Sequence, residues 1–225
     1  MNLFFDSNVT IGYVFKGDDW NTQSKNIFRC PNQKYYSQSV LNETKHKIKI
    51  IREKLFQGLL VLSSELLRNE TIRDYLKLND VLRFLNSLGF EESIKRKLQK
   101  HMHILFSEKY SYEVGKDELS QDIKQEANSL MNDIVIKFNF IQANLTKHHR
   151  TKVYISLGNK LMGNNEDFHE EDVAIILDAH DLCHTCNPLT LITADSRRKK
   201  DDLIIKFTNI DDVKDLRDFL IMKCP

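Results

Sequence analysis

Proline and glycine are scarce in this chain, at 3 and 7 of 225 residues. That scarcity argues against long flexible linkers and low-complexity spacers. No apolar run approaches the roughly 18 residues that a membrane-spanning helix needs. Asp6 interrupts the apolar start almost at once, so no secretory leader is expected ahead of the first strand. An excess of one charge is missing too: 33 Lys and Arg against 32 Asp and Glu leave a net charge of +1. The total charge therefore announces no nucleic-acid binder, and any such role must rest on local patches. Without a leader, Cys30, Cys183, Cys186 and Cys224 are expected as reduced thiols in a soluble cytoplasmic protein with no membrane association. Three glycosylation-type triplets, at Asn42, Asn69 and Asn144, carry no meaning without secretion.

What the chain does have is enough apolar content, 41%, for a core, and two short stretches of similar design. Leu3-Phe4-Phe5-Asp6-Ser7-Asn8 is an apolar run closing on Asp6. Leu189-Thr190-Leu191-Ile192-Thr193-Ala194-Asp195-Ser196 closes the same way on Asp195. Each reads as a buried strand delivering a carboxylate at its carboxyl end. In α/β sheets that edge is where ligand sites form, so acids from opposite ends of the chain can meet there.

Between these stretches the pattern is largely helical. Residues 8–14 begin a helix, 16–34 read as polar and irregular, and 35–67 read as one long helix capped by Ser37 or Ser39. Residues 71–146 carry helical periodicity with no repeat, and about 70–146 is read as a helical insertion within a single domain spanning 1–225. Further on come a short strand or extended piece at 151–157, a loop at 158–165 and a helix from about 167 to 184. A strand at 203–207 and a closing helix or turn at 211–220 follow. Strands alternating with helices imply a mostly parallel sheet in a three-layer α/β/α arrangement.

At four places the chain resembles the PIN-domain family of metal-dependent ribonucleases. These are Phe4-Phe5-Asp6-Ser7-Asn8-Val9; Glu43 on the helix after the first connection; Asp172 in Glu171-Asp172-Val173-Ala174-Ile175-Ile176; and Ile192-Thr193-Ala194-Asp195-Ser196. The likeness covers roughly residues 1–60 and 150–220, and the long middle region has no counterpart in compact members. It implies a Mg²⁺- or Mn²⁺-dependent endoribonuclease acting on single-stranded or structured RNA, with Asp6, Glu43, Asp172 and Asp195 as catalytic acids. Asp6, Asp172 and Asp195 would be the metal ligands. Hard cations take carboxylate oxygens and lower the pKa of bound water. Asn8 and Ser196 are substrate-contact candidates beside the acids. A toxin–antitoxin or RNA-processing role, an antitoxin or other protein partner, and a homodimer are in keeping with the resemblance. The competing expectations are a non-catalytic RNA-binding scaffold, a structure-selective DNA nuclease, and a helical interaction module in which the insertion is the functional part.

Each acid also has an ordinary explanation. Asp6 and Asp195 suit turns or caps, Glu43 can pair with Lys47 at i,i+4, and Asp172 suits a helix first turn. Asp178 and Asp181 are turned away from Asp172 by helix geometry. Most basic clusters are ordinary solvated surface. The exception is Arg197-Arg198-Lys199-Lys200, directly after Asp195, which is placed to grip phosphates. His180, Cys183, His184 and Cys186 contain a Cys-x-x-Cys pair, but no second ligand pair at a zinc spacing follows.

Overall fold

The computed structural model describes residues 1–164, 168–195 and 198–220, with the backbone alone at 164, 198, 199 and 220. The chain divides into two compact units. One comprises Met1–Phe15, Asp19–Lys47 and Lys137–Pro225; the other comprises Lys16–Asp18 and Ile48–Ile136.

The first unit is built on β1 (Asn2–Phe5), where Leu3, Phe4 and Phe5 are all buried. A strand apolar on both faces belongs in the middle of a parallel sheet covered by helices. It runs into α1 (Ser7–Val14), α2 (Asn21–Arg29) and β2 (Gln33–Ser37). Ser37 then caps α3 (Gln38–Arg68), its hydroxyl accepting from Val40 N at 3.2 Å. Residues 38–47 of α3 belong to this unit and the rest to the second.

The second unit continues with β3 (Tyr75–Leu76), α4 (Leu78–Ser87), α5 (Glu92–Lys109), β4 (Val114–Gly115) and most of α6 (Lys116–Asn144). Strands β3 and β4 pair antiparallel. Leu55, Leu59, Leu62 and Leu66 fall on one stripe of α3 and are fully buried, as are Leu85, Leu98 and Met102. Gly58 interrupts the stripe where α5 comes close: a Cβ there would stand 2.9 Å from Leu98 Cδ1.

The chain returns to the first unit through β5 (Thr146–His148), α7 (Ile155–Asn164), α8 (Glu170–Leu182), β6 (Leu189–Thr193), α9 (Arg198–Phe207), β7 (Asp212–Asp215) and a 3₁₀ turn at Leu216–Leu220. The five-stranded sheet has the order β5-β2-β1-β6-β7, and every pairing in it is parallel. From β1 the chain winds outward to β2 and β5, then returns to lay β6 on the other flank of β1 and β7 outside it. The carboxyl ends of β1 and β6 therefore frame the topological switch point, where open α/β sheets form their ligand crevices. The register pairs Phe5 with Ile192, and Asp6 N extends it by donating to Ile192 O at 3.0 Å.

An α/β fold with a mostly parallel central sheet was the expectation, and it is what is found. Several local assignments differ. Residues 21–29 are helical although their inward residues include Asn21, Gln23 and Ser24, a polar face that hides amphipathicity. Residues 35–37 are strand, β5 lies at 146–148 and not at 151–157, and helix α7 takes 155–164, where 155–157 were expected extended and 158–165 a loop. The expected strand at 203–207 is the end of α9, and the closing helix begins with strand β7. Two adjacent parallel strands need a crossover, and α9 is the one between β6 and β7. Cys183 and Cys186 are free thiols, whereas Cys30 is disulfide-bonded, which departs from the expectation of reduced thiols throughout. Among the described residues no helix is long and apolar enough to cross a membrane.

Candidate active site

Asp6 is the first residue beyond β1 and the N-cap of α1. Its Oδ1 accepts from Ser7 N, and its Oδ2 accepts from Thr193 Oγ1 at 2.6 Å. Asn8 Nδ2 adds a longer contact to Oδ2 at 3.4 Å. Thr193, the last residue of β6, also accepts from Asp195 N at 3.0 Å. One hydroxyl thus ties both strand-end acids into a single turn geometry.

Asp172 is the third residue of α8 and accepts from His169 N at 3.4 Å, closing the helix start. Asp6, Asp172, Thr193 and Asp195 line one pocket with Lys200, Asp201 and the apolar side chains Ile175, Ile176, Leu191 and Ile204. Apolar walls of this kind strengthen every charge interaction inside.

Glu43 does not line the pocket but lies close enough for its charge to act on Asp6. It pairs with Lys47 along α3, the ordinary i,i+4 contact, while its Oε2 is buried and makes no hydrogen bond. Burial pushes the Asp6 carboxyl above its usual range. The Thr193 hydrogen bond opposes that shift, and the charges of Glu43 and Asp172 add to it.

Lys200, the last cation of the basic run, turns inward. It is 6% exposed, and its Nζ donates to Asp195 Oδ2 at 2.9 Å and to Asp172 Oδ2 at 3.2 Å. Burial pulls its pKa down, but the Asp195 hydrogen bond and the two carboxylate charges outweigh that, so the ammonium is held charged. Of the other sequence candidates, Ser196 and Arg197 lie outside the described residues, as do the side chains of Arg198 and Lys199. Thr193 was not expected at the site, and Lys200, expected to grip phosphates with its basic run, instead binds Asp172 and Asp195. The signals were a hydroxyl at the last position of β6 and a lysine five residues after Asp195.

Asp178 and Asp181, on the same helix as Asp172, serve another purpose. Asp178 pairs with Arg150 at 3.2 Å. Asp181 accepts from Thr151 N at 2.8 Å, Tyr154 Oη at 2.7 Å and His148 Nε2 at 3.1 Å, clamping the β5–α7 connection. Those bonds overcome the cost of burial and hold its carboxyl at a pKa of about 2. The side chains of the cysteine–histidine stretch have protein partners. Buried Cys183 donates to Ala179 O at 3.2 Å, Cys186 meets the Tyr35 hydroxyl at 3.3 Å, and His180 Nδ1 accepts from Asn209 N.

Does the acidic pocket suit a divalent cation? The donors are hard oxygens of the type Mg²⁺ and Mn²⁺ prefer. The buried Oε2 of Glu43 has no hydrogen-bond partner, and burial raises the Asp6 pKa with the charges of Glu43 and Asp172 adding to it, so a cation would relieve both. In chemistry and charge the residues fit. A closed coordination shell is not in place: among the described residues no three His, Cys, Asp or Glu side chains converge closely enough to hold an ion. Comparison with known proteins finds no matching family model, no matching curated protein and no matching solved structure.

Proposed function

We propose that the protein is a PIN-like, Mg²⁺- or Mn²⁺-dependent endoribonuclease whose pocket is formed by Asp6, Asp172 and Asp195, with Glu43 in support. The observation that carries this reading is that acids from the ends of β1 and β6 and the start of α8 line one pocket at the switch point of a parallel sheet. A bound divalent cation supplies Lewis acidity toward a phosphodiester and lowers the pKa of a water molecule it holds. The chain's part is to hold its acids. Thr193 and Ser7 N fix both oxygens of Asp6, so its carboxylate cannot rotate away. The same Thr193 pins the backbone of Asp195, and the contact with His169 N holds Asp172 at the start of α8. Arg197, Arg198 and Lys199 follow Asp195 in sequence and are the proposed phosphate contacts, with RNA as the substrate.

A second reading is a non-catalytic RNA-binding protein. It is favoured by one observation, the ion pairs from Lys200 that already neutralise part of the acidic cluster. The two readings separate on end-labelled single-stranded RNA and matched DNA with Mn²⁺, Mg²⁺ or EDTA. Metal-dependent RNA cleavage, lost in Asp6→Asn, supports the nuclease. RNA binding without cleavage under every condition contradicts it, and cleavage of DNA alone moves the protein to a DNA-nuclease class.

A further inference from the structure

A lysine sequestered at the bottom of an acidic pocket needs a reason. The side chain of Lys200 carries four methylenes and, in an exposed helix turn, would keep its ammonium in water. Here it is buried, with Nζ bridging Asp172 and Asp195 and lying 5.3 Å from the centre of the Phe168 ring. The bridge engages an oxygen from each of two acids that the proposed function assigns to the metal.

We infer that Lys200 is a built-in cation that occupies the site in the metal-free protein, and that a divalent ion loads by displacing its ammonium from Asp172 and Asp195. This rests on the proposed function and adds to it the way the site is opened. Three observations converge. The same Nζ engages both acids, so lysine and metal compete for the same oxygens. Lys200 and Asp6 line the one pocket, so the competition takes place beside the remaining ligand. Among the described residues, Lys200 ion-pairs with Asp172 and Asp195 together, whereas the neighbouring acid Glu43 pairs with Lys47. Once displaced, the tethered ammonium stays within side-chain reach of a phosphate at the pocket, where a compact charge on a flexible stem is useful.

The competition has a measurable size. Apparent metal affinity falls in proportion to the fraction of molecules whose lysine is undocked, so a lysine docked in about nine molecules of ten weakens binding about tenfold. Mn²⁺ binding to the full chain, measured by calorimetry and by the free Mn²⁺ resonance signal, tests this in wild type, Lys200→Met and Lys200→Arg. Lys200→Met should bind Mn²⁺ about tenfold more tightly, and Lys200→Arg, which keeps the charge, should stay near wild type.

A second measurement needs no variant and covers the case in which Lys200→Met does not fold. Acetylation of Lys200 by an amine-selective reagent, read by mass spectrometry, should be slow in EDTA and several-fold faster with saturating Mg²⁺, while other lysines change little. Equal Mn²⁺ affinity in wild type and Lys200→Met, or metal binding with no change in Lys200 acetylation, overturns the inference and leaves the nuclease reading standing. No metal binding by any form overturns both.

Discussion

Asp6 shows how a single residue carries both fold and site. Its carboxylate caps α1, which is why an Asp at a strand–helix junction needs no catalytic explanation by itself. What the cap does not account for is the burial of the charge and the two neighbouring acids that push its pKa up. A raised acid contributes stability that is present below its unfolded pKa and lost as pH rises through the folded one. At neutral pH the charged form is therefore a cost, and Asp6→Asn, which keeps a capping side chain, should leave the metal-free melting temperature unchanged or higher. A fall of more than a few degrees would show that the charge itself stabilises. Asp181 runs the other way. Its pKa of about 2 lies below the unfolded value, so its stabilisation is full above about pH 4 and is lost as pH falls toward 2. Asp181→Ala strands the Tyr154 hydroxyl and Thr151 N–H and should cost about 2 kcal/mol at pH 7. The gap between wild type and variant in denaturant melts should narrow as pH falls toward 2.

At the scale of elements, α1 and α2 meet over Gly12, where an added Cβ would lie 2.6 Å from Ser24 Oγ and 2.9 Å from Trp20 Cβ. Gly12→Ala should therefore destabilise by about 1–3 kcal/mol in equilibrium unfolding, because one contact is with a side chain's own Cβ and cannot rotate away. An unchanged midpoint would mean that the helices slide apart freely. The same pair of helices marks the limit of what the sequence reveals. β1 and β6 were legible because strands buried on both faces are almost pure apolar runs ending at a polar residue. The long part of α3 was legible from Leu55, Leu59, Leu62 and Leu66. Strand β2, Gln-Lys-Tyr-Tyr-Ser, was not, because its identity comes from hydrogen bonds to β1 and β5 and not from its own side chains. Edge strand β7, Asp-Val-Lys-Asp, is polar for the reason edges usually are, to discourage pairing with other chains. The run Leu203-Ile204-Ile205 reads as strand by β-branching, and the crossover makes it helix instead. Asp6, Asp172 and Asp195 could be found in sequence because each sits at an element boundary with a recognisable signature. Lys200 could not be placed, because only the packing of α9 decides whether a lysine in a basic run faces water or the pocket.

For the molecule as a whole, the parallel strand order explains why acids from opposite ends of the chain share a pocket: β1 and β6 are neighbours only because the chain winds outward and returns. A cation binding the folded pocket and not the unfolded chain must raise global stability by mass action, about 2.7 kcal/mol at a hundred times its dissociation constant. Thermal melts with Mn²⁺ should therefore shift upward by several degrees, reverse with EDTA, and show little shift in an Asp6→Asn/Asp195→Asn double variant. The most direct test of the account is cleavage itself. The full chain, purified and supplied with Mn²⁺ or Mg²⁺, should cut end-labelled single-stranded RNA internally, stop cutting in EDTA, and lose at least about a hundredfold in rate in the Asp6→Asn/Asp195→Asn variant. RNA cleavage that persists undiminished in EDTA or in that variant would contradict it.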